Sequence, residues 1–169
     1  MIHISSSESN SALTQVHPED VQPNAVDLRL DKVFEIDEYS QFILGDEDGR
    51  EIKIHRKKKE LAADIDGYFN LLNGCSYEVV MENIVEIGPD EAGWVITRST
   101  LNRNGLFLTS GLYDSGYNGI MAGVLHVNCG SAMIKKGARI GQFILFKAQA
   151  LKSYDGDYGI GKAHDKVYT

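Results

Sequence analysis

From Val26 onward, apolar and polar side chains alternate with a period of two: Val26, Leu28 and Leu30 fall on one side of an extended chain, Asp27, Arg29 and Asp31 on the other. Only a β-strand sends successive side chains to opposite faces, so the pattern calls for a sheet with one buried face. Short apolar runs recur over 33–36, 41–44, 51–54, 77–81, 94–97, 106–109, 120–127, 132–134 and 140–148. Between them stand turn formers such as Gly45-Asp46-Glu47-Asp48-Gly49, Asn73-Gly74, Gly88-Pro89-Asp90, Asn104-Gly105 and Lys136-Gly137. Turn signals roughly every 8–12 residues predict an all-β sandwich or barrel, because βαβ units need helical stretches between strands. Only 57–65 and 98–104 leave room for a short helix.

At 169 residues the chain holds about one domain, large enough to bury a core without disulfides. Residues 1–20, rich in Ser and Asn, are expected to form a tail or a short helix, and 21–152 the β domain. The end, 153–169, is rich in Gly and carries Tyr154, Tyr158 and Tyr168. Such a segment buries little apolar surface by itself, which predicts a flexible flap able to fold over a ligand. Seventeen Lys and Arg oppose 24 Asp and Glu, a net charge of −7, which argues against a nucleic-acid partner. The basic run His55-Arg56-Lys57-Lys58-Lys59 reads as a solvated loop. No stretch reaches the ~18 apolar residues of a membrane span, and the N-terminus lacks a basic region followed by an apolar one. A cytoplasmic protein with no membrane partner is expected, its isolated Cys75 and Cys129 reduced and holding no zinc. Trp94 and Phe107 read as core, and His126 as a satisfied interface histidine rather than a ligand.

Three segments carry residues suited to phosphate chemistry. The stretch 98–103 holds Arg98, Ser99, Thr100 and Arg103, guanidinium and hydroxyl donors of the kind that grip phosphate oxygens. Asp114 lies in a turn with Gly111, Gly116 and Gly119, where the backbone bends tightly and approaches a ligand closely. Gln142 follows Arg139 and Gly141 at the start of a strand.

In this order the segments resemble the superfamily of trimeric dUTPases and dCTP deaminases, nearest its archaeal and viral dUTPase branch. VQPNAVDLRL is similar to the opening motif, TRSTL to the Arg-Ser-Ser/Gly-Leu motif, GLYDSGYNG to the Asp-x-x-Tyr-x-Gly motif and KKGARIGQ to the Gly-x-Arg-Ile-x-Gln motif. The resemblance implies a distorted β-barrel or jelly roll, assembled as a homotrimer with sites at subunit interfaces, in the host cytoplasm if the source is viral. It implies hydrolysis of dUTP to dUMP and pyrophosphate. Asp114 would orient and deprotonate the attacking water. Arg98, Ser99, Thr100, Gln142 and Lys162 would hold phosphates. Leu108, Thr109, Gly111 and Leu112 would read the base, Tyr117 would lie against the deoxyribose and Tyr158 would stack on the base. Mg²⁺ would be held mainly by phosphates and water, with Asp27 either reaching it through water or pairing with an arginine beneath the site. Arg103 is either a further site residue or a surface or subunit contact.

Deaminases of the superfamily carry a proton-shuttling Glu ten positions past the Asp and three before an Asn. Here those counts land on Val124 and Leu125, neither of which moves a proton. dCTP deamination is therefore the alternative reading, as is a nucleotide-binding regulator without turnover.

Overall fold

The computed structural model describes residues 1–168. The strands run β1 (Ala12–Leu13), β2 (Val26–Ile36), β3 (Ile43–Glu47), β4 (Arg50–Ile54), β5 (Lys58–Glu60), β6 (Tyr68–Leu71) and β7 (Ser76–Glu86). There follow β8 (Glu91–Thr97), a single turn of helix α1 (Ser99–Asn102), β9 (Leu106–Thr109), β10 (Leu112–Tyr113), β11 (Asn118–Val127), β12 (Ala132–Lys135) and β13 (Arg139–Lys147). The principal sheet is antiparallel in the order β10-β8-β13-β2-β7-β11-β9, with β1 added to β7 and β5 to β2. Register shifts at Leu30/Lys32, Ile120/Ala122 and Arg139/Gly141 mark bulges. Bulges raise local twist and bend the strand, which curls this long sheet into the half-barrel of an all-β fold. β2 shows the effect directly: its first half pairs with β13 and its second with β7.

The alternation that predicts β2 builds the core. Val26, Leu28 and Leu30 are fully buried and pack with Val79, Met81, Met121, Leu125 and Phe143 from neighbouring strands. Burying each such side chain contributes roughly 1.5–3 kcal/mol. The run at 41–44 behaves differently. With 51–54 it forms the separate hairpin β3–β4, exposed along all of β3.

Several expectations need correction. Residues 1–20, expected as a tail or a short helix, hold one short helical turn and are otherwise tied to the sheet. Ile2 bridges to Leu145, Ile4 is buried, β1 pairs with β7, and a single 3-10 turn spans Pro18–Asp20. The cause is polar: Glu91, fully buried, accepts hydrogen bonds from the Asn10 backbone at 3.0 Å and from the Ser9 and Ser11 hydroxyls, and pairs with Lys147 at 2.7 Å. Those contacts hold the Glu91 carboxyl below its usual range against the opposing effect of burial. Within 57–65 the chain forms β5 rather than a helix, whereas α1 does lie inside 98–104. Trp94 and Phe107 are 47% and 37% exposed instead of core. They occupy the outward positions of strands whose inward positions, Val95 and Leu106, fill the interior.

Candidate active site

The functional residues fall into two regions of the same sheet. The first is an ion-paired cluster around Asp27, whose side chain is wholly buried. Gln142 stands opposite Asp27 across the β2–β13 ladder and donates from Nε2 to Oδ1 at 3.0 Å. Arg98 Nε and Arg139 Nη1 approach Oδ2 at 3.2 and 3.3 Å. Arg98 also donates to the Arg139 carbonyl at 3.1 Å, and Arg139 to the Glu19 carbonyl at 2.9 Å. A buried carboxylate needs partners of this kind, so Asp27 pairs with arginines and fixes their direction. Both arginine side chains remain partly exposed, at 25% and 34%. Arg98 has an extended backbone and leads directly into α1, which leaves Ser99 and Thr100 exposed beside it. Arg103 caps the far end of α1, also exposed.

The second region is a cavity of about 530 Å³ beside β10 and β11. Gly111, Leu112 and Tyr117 line it, as does Tyr158 from the C-terminal segment. Tyr113 and Tyr117 meet edge-on at 5.2 Å, and Tyr117 meets Tyr154 at 5.3 Å. The Tyr113 hydroxyl donates to the Ala122 carbonyl and accepts from the Ala122 N–H, at 3.1 and 3.2 Å, replacing a missing strand partner. The Tyr117 hydroxyl donates to the Ile120 carbonyl at 3.0 Å. Burial pushes both phenols well above their ordinary range, so they stay protonated. At Gly119 a Cβ would fall 2.5 Å from the Tyr117 hydroxyl and 2.7 Å from Gly159 Cα, so only glycine fits.

Asp114 is exposed in the turn between these tyrosines. Its carbonyl accepts from the Tyr117 N–H at 3.0 Å, and Gly116 takes the positive φ of +84° that the turn needs. The remaining residues singled out from the sequence are spread around the two regions. Leu108 is buried in β9, its backbone bonded to the Thr97 hydroxyl. Thr109 faces outward, its hydroxyl 3.3 Å from His126 Nε2, while His126 Nδ1 meets the Ser76 hydroxyl at 2.9 Å. His126 is thus a satisfied histidine. Lys162 is exposed, 3.9 Å from Asp155, and does not line the cavity.

Within one chain the two regions are far apart. Leu112 and Tyr113 pair with Trp94 and Gly93, so Asp114 leaves the sheet beside the Glu91 end of β8 while Arg98 follows its other end. At ~3.3 Å per residue that separation is about 20 Å. One phosphate group cannot touch both in a single chain.

As for a metal, the described residues contain no group of three or more His, Cys, Asp or Glu placed to hold one. Asp27 has its oxygens engaged by two guanidiniums and an amide, and Asp114 stands as one exposed carboxylate. The donor set does not fit a protein-held Mg²⁺, a cation that takes several oxygen ligands.

Sequence reasoning missed Arg139 as a partner of Asp27, although it lies in the same ARIGQ stretch as Gln142. It also missed His55, Lys58 and Glu78, which line the cavity along with His164, Asp165 and Tyr168. The basic run around His55 is the visible signal, and it misleads because charge runs are usually solvated surface.

The curled antiparallel sheet is the fold of the dUTPase and dCTP deaminase class. The chain belongs to the dCTP deaminase-like family, whose pattern it matches over residues 2–148. It is 32% identical over 140 residues to a probable deoxyuridine 5'-triphosphate nucleotidohydrolase of Methanopyrus kandleri, covering 82% of this chain and 86% of that one. A protein of the same description from Methanosarcina barkeri is 34% identical over 141 residues, covering 82% and 80%. Among solved structures, the 2'-deoxycytidine 5'-triphosphate deaminase of Agrobacterium tumefaciens superposes with a TM-score of 0.59 at 17% identity; 84% of this chain matches 45% of that longer one. A mutant of the Staphylococcus bacteriophage 80alpha dUTPase with dUpNHpp gives 0.52 at 12% identity, covering 91% and 92%. These two likenesses concern the fold.

Proposed function

We propose that the protein is a dUTP diphosphatase that hydrolyses dUTP to dUMP and pyrophosphate in the cytoplasm. The observation that carries this reading is Asp114, an exposed carboxylate on the turn that frames the tyrosine-walled cavity, in a chain whose relatives at 32–34% identity are described as dUTP nucleotidohydrolases. The cavity accepts the nucleoside, with Leu112 and Tyr158 on the base and Tyr117 packed against the deoxyribose, where a 2'-hydroxyl finds no space. Arg98, Ser99 and Gln142 meet the phosphates, with Thr100 and Arg103 at the margin and Asp27 holding Arg98 in place.

Because about 20 Å separates these donors from Asp114 in one chain, a complete site joins two copies, which a homotrimer provides. The outward face of β8 and β10 supports such an assembly: Trp94, Ile96 and Leu112 are 47%, 37% and 55% exposed and lie between Asp114 and Arg98 along the sheet. Apolar surface of this kind is characteristic of contact with another chain.

Asp114 orients a water toward the α-phosphorus and takes its proton. The water oxygen bonds to phosphorus as the bond to the bridging oxygen breaks, and pyrophosphate leaves. Most of the acceleration comes from positioning and from the guanidinium field on the phosphates. Mg²⁺ would be carried by the triphosphate as part of the substrate and would offset its charge, with Arg98, Ser99 and Gln142 still meeting the phosphates. dCTP deamination has weaker support, since Val124 on the cavity wall and Leu125 in the core occupy the positions where a proton shuttle would stand.

The test is incubation with Mg²⁺ and either dUTP or dCTP, with nucleotides, pyrophosphate and ammonia measured. dUMP and pyrophosphate from dUTP are expected; ammonia from dCTP would instead establish a deaminase, and tight dUTP binding without products a regulator.

A further inference from the structure

The cavity that Tyr117 walls also carries an ion pair. Glu78 and Lys58 both line it, their carboxylate and ammonium in contact and their side chains only 13% and 15% exposed. Strand register sets them there. Glu78 stands opposite Val124 on the β7–β11 ladder and opposite Phe34 on the β2–β7 ladder, and Lys58 stands opposite Ile36 on the β2–β5 ladder. Directly opposed residues share a face of a sheet, and Val124 and Ile36 line the cavity too. Two charges are thus set into an otherwise apolar stretch of wall.

A buried pair of this kind adds little net stability, because the cost of desolvating two charges offsets their attraction. What it offers is hydrogen bonding. The Tyr168 hydroxyl donates to Glu78 Oε1 at 2.8 Å, and Lys58 meets Oε2. A carboxylate has about four lone-pair sites and an ammonium three N–H donors, so after these contacts both groups keep bonding capacity. Asp165, the other carboxylate of the cavity, serves the backbone instead. It accepts from the Gly159 N–H at 3.0 Å and the Ile120 N–H at 3.4 Å, beside the bond from the Ile160 N–H to the Asn118 carbonyl at 2.9 Å.

We propose that Glu78 and Lys58 read the edge of the pyrimidine, Glu78 accepting from N3–H and Lys58 donating to O4, so that the pair selects uracil over cytosine. This rests on the reading of the cavity as the nucleoside pocket given above. Uracil presents an acceptor at position 4 beside a donor at position 3. Cytosine presents the reverse: its amino group meets the ammonium and its N3 lone pair meets the carboxylate. Both contacts are repulsive and leave buried charges without partners, which is how a polar pocket rejects a ligand of nearly the same shape. Bonds to charged groups are also the stronger ones. Glu78 and Lys58 meet only the base, so they set specificity and take no part in the attack on phosphorus.

The experiment measures kcat/KM for release of pyrophosphate from dUTP and from dCTP by the full-length protein, its Glu78→Gln and Lys58→Met variants, and Tyr168→Phe. Glutamine keeps the shape of Glu78 and offers an N–H to cytosine N3, while methionine keeps much of the length of Lys58 without its charge. The parent should prefer dUTP, and Glu78→Gln and Lys58→Met should each lower that preference about 10–100-fold. Tyr168→Phe removes only the hydroxyl bond to Glu78 and should keep it. If Glu78 merely anchors Tyr168 and Lys58, kcat/KM falls alike for both triphosphates and the preference stands; that result overturns the proposal, as does a parent without preference or an equal loss of preference in Tyr168→Phe. If the parent hydrolyses neither triphosphate, the diphosphatase reading fails, and the same comparison made on dissociation constants of dUTP and dCTP by calorimetry still decides the base contact.

Discussion

Asp27 and Asp114 are carboxylates of one curled sheet placed in opposite surroundings. Asp27 is buried against two guanidiniums and an amide and has nothing left to offer a substrate; Asp114 stands exposed on a turn braced by Tyr113 and Tyr117. The first organises its neighbours, and the second is the base of the reaction proposed above. A motif residue is thus not assigned its work by residue type, but by whether its lone pairs are already engaged.

The sharpest way to break this contrast is Asp114→Asn. The amide keeps the size of the side chain and loses the base, so kcat for dUTP should fall about 10³-fold while binding of a non-hydrolysable dUTP analogue, measured by calorimetry, stays within a few-fold of the parent. Full turnover in the variant would remove Asp114 from the chemistry. Asp27→Ala should act through the fold instead. Removing the shared carboxylate leaves two half-buried guanidiniums uncompensated, a loss of about 3 kcal/mol, read as a melting temperature roughly 6–12 °C lower. If Asp27→Ala melts like the parent yet loses activity, Asp27 belongs with the substrate contacts.

Tyr117 tests the nucleoside side alone. Tyr117→Ala opens space beside the sugar and should lower the preference for dUTP over UTP about 10–100-fold in kcat/KM, the scale on which a packed pocket rejects an extra group. Tyr117→Phe keeps the ring, loses only the hydrogen bond to Ile120, and should keep the preference. An unchanged preference in Tyr117→Ala would place the sugar elsewhere.

How much of this was legible in the sequence follows the same division. The strands were, because Val26, Leu28 and Leu30 alternate and their burial follows directly. The turn that carries Asp114 was, because its glycines mark it and Gly116 takes the positive φ such a turn needs, while the role of Asp114 rests on the resemblance and not on the turn. The order of the N-terminal segment was not: Ser9, Asn10 and Ser11 look like solvated chain until Glu91, some eighty residues away, is seen to bind them. Trp94 and Phe107 misled because strand alternation reveals two faces without saying which faces water or a second chain. His55 and His164 escaped notice for a related reason. Their contact joins a hairpin to a C-terminal segment over a hundred residues later, and no local pattern encodes such a pair.

That pair supplies the smallest expected effect, a dependence of the C-terminal segment's docking on pH. His164 is enclosed by Tyr158 and Tyr168 of its own segment and by His55 of the hairpin side. Burial, with lesser contributions from Lys58 and His55, pulls it below the usual histidine value of 6.5, while Glu78 and Asp165 oppose the shift. A histidine whose value is lower when docked than when released favours docking only in its neutral form. Docking is then at full strength above about pH 6.5 and weakens as pH falls from there toward the lowered value, because the released segment binds the proton more tightly. Amide exchange at Gly159 and Ile160, followed as pH is lowered and corrected for intrinsic exchange rates, should lose protection over that window. In His164→Phe, which keeps a ring and cannot be protonated, the protection should persist. Equal loss in both proteins would mean that His164 does not govern the release.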